Sequence, residues 1–139
     1  MPKIRDLQKD DQSALEQLFI QLTSKEVVLD IEGLIENPAS HCRVLEEDDA
    51  IVGTATLVTY LIPTKGLVGR IEDVVIDESQ RGKGLGRVIM EDLIELAKQK
   101  GVQALSLTSN PQRIPARRLY ESLGFEIYDT GVFWKTLTS

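Results

Sequence analysis

The sequence predicts a single domain, residues 1–139, with a mixed α/β fold in the element order β-α-α-β-β-β-α-β-α-β-β. Three observations carry this prediction. Apolar residues recur at helical spacing in the first part of the chain, and strand-like runs separated by turn signals follow. A strongly amphipathic segment then precedes a further set of short elements. A chain of 139 residues, 42% of them hydrophobic, is long enough to bury one core.

The first part of the chain is predicted to form one short strand and two helices. The strand covers residues 3–7. The apolar residues of the first helix fall on one face: Leu15, Leu18, Phe19 and Leu22. Its N-cap is one of three polar residues: Asp10, Asp11 or Ser13. A second helix is predicted over residues 26–36, ending at Asn37-Pro38.

Three strands are predicted in the middle of the chain. Residues 41–46 and 51–60 form a hairpin around a polar turn at residues 47–50. The third strand covers residues 67–76 and carries apolar residues on both alternation faces. They are Ile71 and Val75 on one face, and Val74 and Ile76 on the other. Such a strand is expected at the centre of a sheet, covered on both sides.

The most strongly patterned helix covers residues 84–100. One stripe of its surface is apolar: Leu85, Val88, Ile89, Leu93, Leu96 and Ala97. Gly101 fits the position just past the end of this helix, where a left-handed backbone conformation is common. A strand over residues 102–107 is predicted to follow.

The last part of the chain is predicted to contain a short helix and a final hairpin. The helix ends at about Leu123 and is closed by Gly124. Residues 125–128 and 132–137 form the two strands of the hairpin.

Composition excludes several classes of protein. The formal net charge of −6 argues against a protein that grips nucleic acid through its phosphates. His41 and Cys42 are the only histidine and cysteine, so neither a disulfide framework nor a Cys/His zinc site is expected, and no metal is predicted. No apolar run approaches the roughly 20 residues of a membrane span, and the first residues lack an apolar signal core. We therefore predict a soluble, cytoplasmic protein that binds neither nucleic acid nor membrane.

A glycine-rich loop joins the third middle strand to the long helix: Arg81-Gly82-Lys83-Gly84-Leu85-Gly86. The first N–H groups of a helix lack intrahelical partners, and the helix dipole makes that end positive. Glycines let the backbone approach a phosphate closely, and the two basic side chains add charge-assisted contacts. The loop therefore predicts an anion site, with a flexible strand-to-helix turn as the alternative. Its spacing fits neither the Walker A motif nor the dinucleotide fingerprint.

Two motifs resemble signatures of the GNAT superfamily of N-acetyltransferases. Arg81-x-x-Gly84-x-Gly86 is similar to the family's Arg/Gln-x-x-Gly-x-Gly/Ala motif, again between a strand and a long helix. The segment Ala116-Arg117-Arg118-Leu119-Tyr120-Glu121-Ser122-Leu123-Gly124-Phe125 resembles the family's Ala-x-x-Leu-Tyr-x-x-x-Gly-Phe segment. The resemblance covers the chain from about residue 52 onward and the earlier part by element order only. It implies a GNAT-like acyl-CoA N-acyltransferase fold.

The resemblance also implies acetyl-CoA as cosubstrate. The glycine-loop amides would bind its pyrophosphate, and the pantetheine arm would hydrogen-bond along the preceding strand, beside a splayed gap to the next one. The implied cofactor-binding residues are Val74, Val75, Ile76, Arg81, Gly82, Lys83, Gly84, Leu85 and Gly86. Asn110 is a further candidate, and the alternative is that it caps the following helix with Pro111 at the first helical position.

The implied reaction is direct attack of a primary amine on the thioester, which needs a neutral amine, a stabilised oxyanion and a protonated leaving group. Tyr120 resembles the family's general acid, because a phenol with a pKa of about 10 can donate to a departing thiolate. Packing in the core is the alternative role. Glu72 and Asp73 are adjacent acids in an otherwise apolar strand, so one of them is a candidate to bind or deprotonate the amine. The alternative is an ion pair with Arg70, and family members often carry a bulge here.

No motif names the acceptor. The run at residues 70–76 is similar to the corresponding strand of glucosamine-6-phosphate N-acetyltransferases. Three basic residues would serve a sugar phosphate: Lys65, Arg70 and Arg113. A catalytically silent acyl-CoA-binding or sensor module is the alternative function. A homodimer also stays open. Phe133 and Trp134 are expected to pack in the final hairpin, with a dimer contact or the wall of the acceptor pocket as alternatives.

Overall fold

The structure is a computed structural model that describes residues 2–138, and it confirms the mixed α/β class. The strands are β1 Lys3–Asp6, β2 Ser40–Glu47, β3 Ala50–Ile62, β4 Gly66–Ile76 and β5 Leu105–Ser106. The helices are α1 Gln12–Thr23, α2 Ile31–Glu36, α3 Leu85–Gln99 and α4 Ile114–Ser122, with short 3-10 turns at Lys9–Asp11 and Glu78–Gln80. The chain divides into two compact units, Met1–Thr108 and Ser109–Ser139.

The first unit is built on a five-stranded sheet in the order β1-β2-β3-β4-β5. Neighbouring strands from β1 to β4 are antiparallel, and β5 joins β4 in parallel. The β2–β3 hairpin turns at Asp48 and Asp49, whose φ angles of 53° and 63° suit a two-residue hairpin loop. The parallel pair requires a crossover connection, which α3 supplies. The predicted hairpin and the interior position of β4 are confirmed.

The apolar faces of α1 and α3 pack on the sheet. The buried residues of α1 are Leu15, Leu18 and Phe19. Those of α3 are Leu85, Ile89, Met90, Leu93 and Ala97. On the sheet, the side chains with 0% exposure include Val44, Leu45, Ala55 and Leu57. The predicted stripe of α3 is therefore confirmed, with Val88 and Leu96 at its half-buried margin.

The second helix is shorter than predicted. The sequence predicts it over residues 26–36, whereas α2 begins only at Ile31. Ser24 ends α1 in the left-handed conformation, with φ 60°. Asp30 then caps α2 by accepting a hydrogen bond from the Gly33 N–H at 3.1 Å. The residues between these two caps are therefore a loop.

The second unit contains α4 and the chain that follows it. The predicted closure by Gly124 is confirmed, since this residue has φ 97° and donates its N–H to the Glu121 carbonyl at 3.0 Å. The predicted final hairpin is wrong, because residues 123–138 contain no strand. A two-stranded hairpin without a third strand is only marginally stable. In this segment the backbone forms a local turn bond from the Thr130 N–H to the Tyr128 carbonyl, at 2.9 Å.

Arg5 forms an ion-pair cluster at the start of the sheet. Its guanidinium donates to both carboxylate oxygens of Asp11, at 2.7 and 2.8 Å, and to Glu46 at 2.5 Å. Asp11 is 4% exposed and also accepts from the Gln8 N–H at 2.8 Å. The hydrogen bond from Arg5 lowers the pKa of Asp11. This pair therefore stabilises the fold above the ordinary pKa of Asp and less so as the pH falls through the folded value.

We expect Arg5→Met to lower the free energy of unfolding by about 3 kcal/mol at pH 7, because it leaves the Asp11 carboxylate buried without its cation. Denaturant unfolding measures this loss, which should shrink as the pH is lowered from 7 towards 2. Lys9→Met is the control, since it removes the cation of an exposed pair with Glu32 and should cost less than about 1 kcal/mol. If the loss of unfolding free energy in Arg5→Met did not depend on pH, the loss could not be assigned to the ionised Asp11 carboxylate.

Candidate active site

A bulge interrupts β4 where the two adjacent acids lie. Thr54 of β3 pairs with Val75 and Thr56 pairs with Glu72, so β4 carries one extra residue between the two pairs. Asp73 has a φ of 52°, in the left-handed region that few non-glycine residues adopt. The bulge that the family resemblance implies is present. It breaks the strict alternation that would send adjacent side chains to opposite faces of the sheet.

Glu72 and Asp73 have different surroundings. The Glu72 carboxylate accepts a hydrogen bond from the Arg70 guanidinium, which also donates to the Thr108 hydroxyl at 3.4 Å. The Asp73 carboxylate has no hydrogen-bond partner among residues 2–138. Its pKa is raised, first by desolvation and second by the negative charge of Glu72. The ion pair with Arg70 therefore belongs to Glu72, and Asp73 is the acid without an ion pair in the described residues.

The β4 strand has an open edge on the side of β5. The latter is only two residues long, shorter than predicted, and pairs with Gly69 and Arg70 of β4. In the described part of the chain, residues 71–76 have no strand partner on that side. Unpaired amides and carbonyls of a strand edge can hydrogen-bond an extended ligand. Residues 74–76 therefore lie on an edge of β4 without a strand partner, as the expected gap requires.

The glycine loop runs from the end of β4 into α3. Gly82 and Gly84 have φ angles of 83° and 80°, and a Cβ added at either would meet no atom within 4 Å. Gly84 is the N-cap of α3, and no side chain caps this helix. A backbone hydrogen bond from the Val88 N–H to the Gly84 carbonyl, at 3.3 Å, closes the first turn. The amides ahead of Val88 therefore lack intrahelical partners, which is the geometry of an anion cradle.

The side chains of the loop have local partners. Arg81 Nε donates to the Ile76 carbonyl at 3.1 Å, and Lys83 Nζ donates to Gln80 Oε1 at 2.8 Å. Leu85 is 5% exposed and packs in the core. Leu85 can therefore offer a ligand only its backbone N–H, while the two cations can exchange their present acceptors for ligand oxygens.

In the second unit, Tyr120 lies on α4 and is 7% exposed. Its ring meets that of Phe125 edge to face, with 6.2 Å between the centroids and 67° between the planes. Burial raises the pKa of the Tyr120 phenol, and the charge of Arg113 lowers it by less. The hydroxyl is therefore protonated at neutral pH, as a proton donor must be.

Asn110 does not cap α4. The helix begins at Ile114, three residues after Pro111, and its N-cap is Arg113. The Asn110 side-chain oxygen accepts a hydrogen bond from the Gln112 N–H at 2.9 Å instead. The predicted cap is therefore wrong, because Asn110 uses its carboxamide in a tight turn ahead of the helix.

A contact that the sequence patterns do not reveal lies next to the glycine loop. Gln21 of α1 donates to the Asp77 carboxylate at 2.6 Å and accepts from the Glu78 N–H at 2.9 Å. The two side chains are 56 residues apart in sequence. Each lies in a segment of ordinary helix or loop composition, so no local pattern marks either of them.

Residues 2–138 contain no metal-binding cluster and no membrane-spanning helix, and their cysteine is buried. Among residues 2–138, no group of three or more His, Cys, Asp and Glu side chains is arranged to hold a metal ion. Within that range no helix has the length and apolar character needed to cross a bilayer. Cys42 is 6% exposed, and its sulfur lies 3.5 Å from the Thr54 hydroxyl. Its burial removes it from a role as nucleophile.

Comparisons with known proteins agree with this geometry. A family model described as the acetyltransferase (GNAT) family matches residues 2–125. A glucosamine 6-phosphate N-acetyltransferase of Trypanosoma brucei brucei is 42% identical over 81 residues, which cover 57% of this chain and 53% of that protein. The chain therefore spans about half the length of this curated relative.

Two solved structures are similar over nearly the whole chain. The glucosamine-6-phosphate N-acetyltransferase of Arabidopsis thaliana has a TM-score of 0.84 and 26% identity, with 99% of each chain covered. A predicted acetyltransferase of Clostridium acetobutylicum, solved with acetyl-CoA, has a TM-score of 0.78 and 21% identity, with 97% of this chain and 96% of that chain covered. The second similarity shows the fold alone, in a protein that holds acetyl-CoA.

Proposed function

Because the chain belongs to the acetyltransferase (GNAT) family, we propose that it transfers an acetyl group from acetyl-CoA to a primary amine of a small molecule or peptide. The observation that carries this proposal is the uncapped N-terminus of α3, the next helix in the chain after a strand with an open edge. The first feature suits a pyrophosphate, and the second suits an extended arm with amide groups. Coenzyme A combines the two. We also propose that residues 1–139 act as one catalytic domain in the cytoplasm, which a chain with a single cysteine fits.

In the proposed reaction the amine nitrogen attacks the thioester carbonyl carbon, the carbon–sulfur bond breaks, and coenzyme A leaves as a thiolate. Asp73 takes the proton of the amine, directly or through a water, because its carboxylate is free of the ion pair that holds Glu72, and desolvation raises its pKa. Tyr120 protonates the departing sulfur. Glu72, held by Arg70, orients the acceptor. The burial of Cys42 supports direct attack without an acetyl-enzyme.

We expect Asp73→Asn to lower kcat/KM for the amine about 100-fold at pH 7, because a carboxamide cannot accept the proton. Activity of the unmodified protein should fall on acidification at a pH above the ordinary Asp pKa of about 3.9, since the pKa of Asp73 is raised. Initial rates from pH 4 to 8 at saturating acetyl-CoA measure both effects. Glu72→Gln is the matched control. A larger loss in Glu72→Gln than in Asp73→Asn would reverse the two roles.

The acceptor class is tested by the release of free thiol from acetyl-CoA. The name of the T. brucei relative makes amino sugar phosphates the first class to try. Amino sugars, polyamines, amino acids and peptide N-termini complete the panel. We expect saturable binding of acetyl-CoA and turnover with at least one class. Binding without turnover would favour the catalytically silent acyl-CoA-binding module, and absence of binding would overturn both functions.

We also propose that the chain forms a homodimer through its apolar tail, residues 127–137. Six large side chains of this tail are between 67% and 99% exposed: Ile127, Tyr128, Val132, Phe133, Trp134 and Leu137. So many exposed apolar side chains in one short segment favour a surface that a partner covers. The tail has strand-like sequence, and a second copy brings an identical tail, so a symmetric contact buries both.

We expect Trp134→Ser to shift the protein from dimer to monomer in sedimentation velocity runs, because it removes an aromatic anchor of the contact. Leu61→Ser is the control, since Leu61 is 77% exposed but lies outside the tail. A monomeric unmodified protein at micromolar concentration would contradict the dimer.

A further inference from the structure

Helix α1 holds the segment that leads into the glycine loop. Gln21, in the last turn of α1, uses both ends of its carboxamide. Its Nε2 donates to Asp77 Oδ1 at 2.6 Å, and its Oε1 accepts from the Glu78 N–H at 2.9 Å. The Asp77 N–H donates to the Val52 carbonyl of β3 at 2.7 Å. The start of the segment at residues 77–80 is therefore fastened from two sides.

This segment is connected by hydrogen bonds to the anion cradle. Asp77 accepts from the Ser79 hydroxyl, and the Gln80 N–H donates to the Asp77 carbonyl at 2.8 Å. The Gln80 side chain in turn accepts from Lys83 in the glycine loop, at 2.8 Å. Donation from Gln21 is the largest cause of the lowered pKa of Asp77, so the carboxylate is ionised at neutral pH. Asp77 and Gln80 therefore belong to one hydrogen-bonded turn, and the chain continues from this turn directly into the glycine loop.

The other half of α1 holds a different loop. Glu16 accepts from the Leu29 N–H at 3.0 Å, and Gln12 donates to the Leu29 carbonyl at 3.1 Å. These bonds fasten the connection between α1 and α2. Helix α1 is therefore anchored in the core by its apolar face and makes two sets of polar contacts. Its first turns bind the α1–α2 connection, and its last turn binds residues 77 and 78, which lead to the glycine loop.

We propose that Gln21 is a positioning residue for the donor site, which holds residues 77–80 so that the loop amides face the pyrophosphate of acetyl-CoA. Through α1 the same residue ties the donor loop to the α1–α2 connection. The identity of the ligand rests on the proposed function, whereas the position of the loop is measurable without a ligand.

A charge-swap pair tests this role. Gln21→Glu places a carboxylate against Asp77 and keeps the acceptor for the Glu78 N–H. Adding Asp77→Asn restores a donor opposite the new carboxylate, so the double variant should recover the contact. Gln17→Glu makes the same charge change at an exposed position of the same helix and is the control.

Coenzyme A binding by calorimetry and amide hydrogen exchange of the unliganded protein are the two measurements. We expect Gln21→Glu to raise Kd about tenfold, equivalent to about 1.4 kcal/mol, and to speed exchange across residues 77–86. The double variant and Gln17→Glu should stay within about twofold of the unmodified protein in Kd. At saturating acetyl-CoA, kcat should change less than Kd, because a positioning defect in the loop affects binding of the donor.

Two results would overturn the role of Gln21. One is unchanged Kd and unchanged exchange at residues 77–86 in Gln21→Glu. The other is a lowered melting temperature that Asp77→Asn does not restore, with exchange raised across the whole chain, which marks a general structural role. If the unmodified protein fails to bind coenzyme A, the proposed function falls, and the exchange comparison alone still decides whether Gln21 holds the loop.

Discussion

Gly84→Glu is expected to raise the Kd for acetyl-CoA at least about 100-fold, a loss of about 3 kcal/mol in binding free energy. Three causes act together. Gly84 has a φ of 80°, which strains any residue with a side chain. A side chain at the N-cap of α3 would occupy the space into which the unpaired amides point. The new carboxylate would also repel the negatively charged pyrophosphate.

The opposite end of the same helix provides the control. Gly101 has a φ of 77°, and, as at Gly84, a Cβ added there would meet no atom within 4 Å. Gly101→Glu therefore brings similar backbone strain and the same charge without touching the cradle. Calorimetry with acetyl-CoA and thermal unfolding should show a similar loss of stability in both variants and a loss of binding in Gly84→Glu only. An equal loss of acetyl-CoA binding in Gly84→Glu and Gly101→Glu would contradict the proposal that the glycine loop binds the pyrophosphate.

Tyr120→Phe is expected to lower kcat about 100- to 1,000-fold while leaving the affinity for acetyl-CoA nearly unchanged. The substitution removes only the hydroxyl, which we propose as the donor to the departing sulfur. The edge-to-face contact with Phe125 does not need the hydroxyl, so packing should persist. Steady-state rates with saturating acetyl-CoA and the preferred amine measure the effect.

Tyr60→Phe makes the same deletion on an exposed tyrosine of β3 and should not change kcat. An unchanged kcat in Tyr120→Phe, together with a lower melting temperature, would assign Tyr120 to packing instead. For a catalytically silent module, there would be no turnover to lose, which separates the two functions.

Much of the fold could be predicted because the signals are local. The stripe of α3 and the glycine just past its end depend on side chains within one or two turns of each other. The closure of α4 by Gly124 depends on a single residue that accepts positive φ. The final hairpin could not be predicted correctly, because strand-like composition does not supply the neighbouring strand that pairing requires.

In the candidate site, too, only the features that depend on neighbouring residues could be predicted from the sequence. Glycine spacing and the position of the loop between strand and helix were sufficient to predict an anion site, and the structure shows positive φ at Gly82 and Gly84 and no side-chain cap on α3. The different surroundings of Glu72 and Asp73 could not be read from two adjacent acids, because they depend on the Arg70 contact and on a bulge in the pairing of β3 with β4.

The sequence by itself determined the fold class, the glycine loop and the family to which its two motifs point, since each rests on residues a few positions apart. Only the tertiary structure decided which acid is free of an ion pair and how far β5 extends along β4. It also revealed that Gln21 hydrogen-bonds to Asp77, just ahead of the glycine loop and 56 residues away in sequence. The physical reason is that these features arise from strand register and from contacts between distant segments, which local composition does not encode.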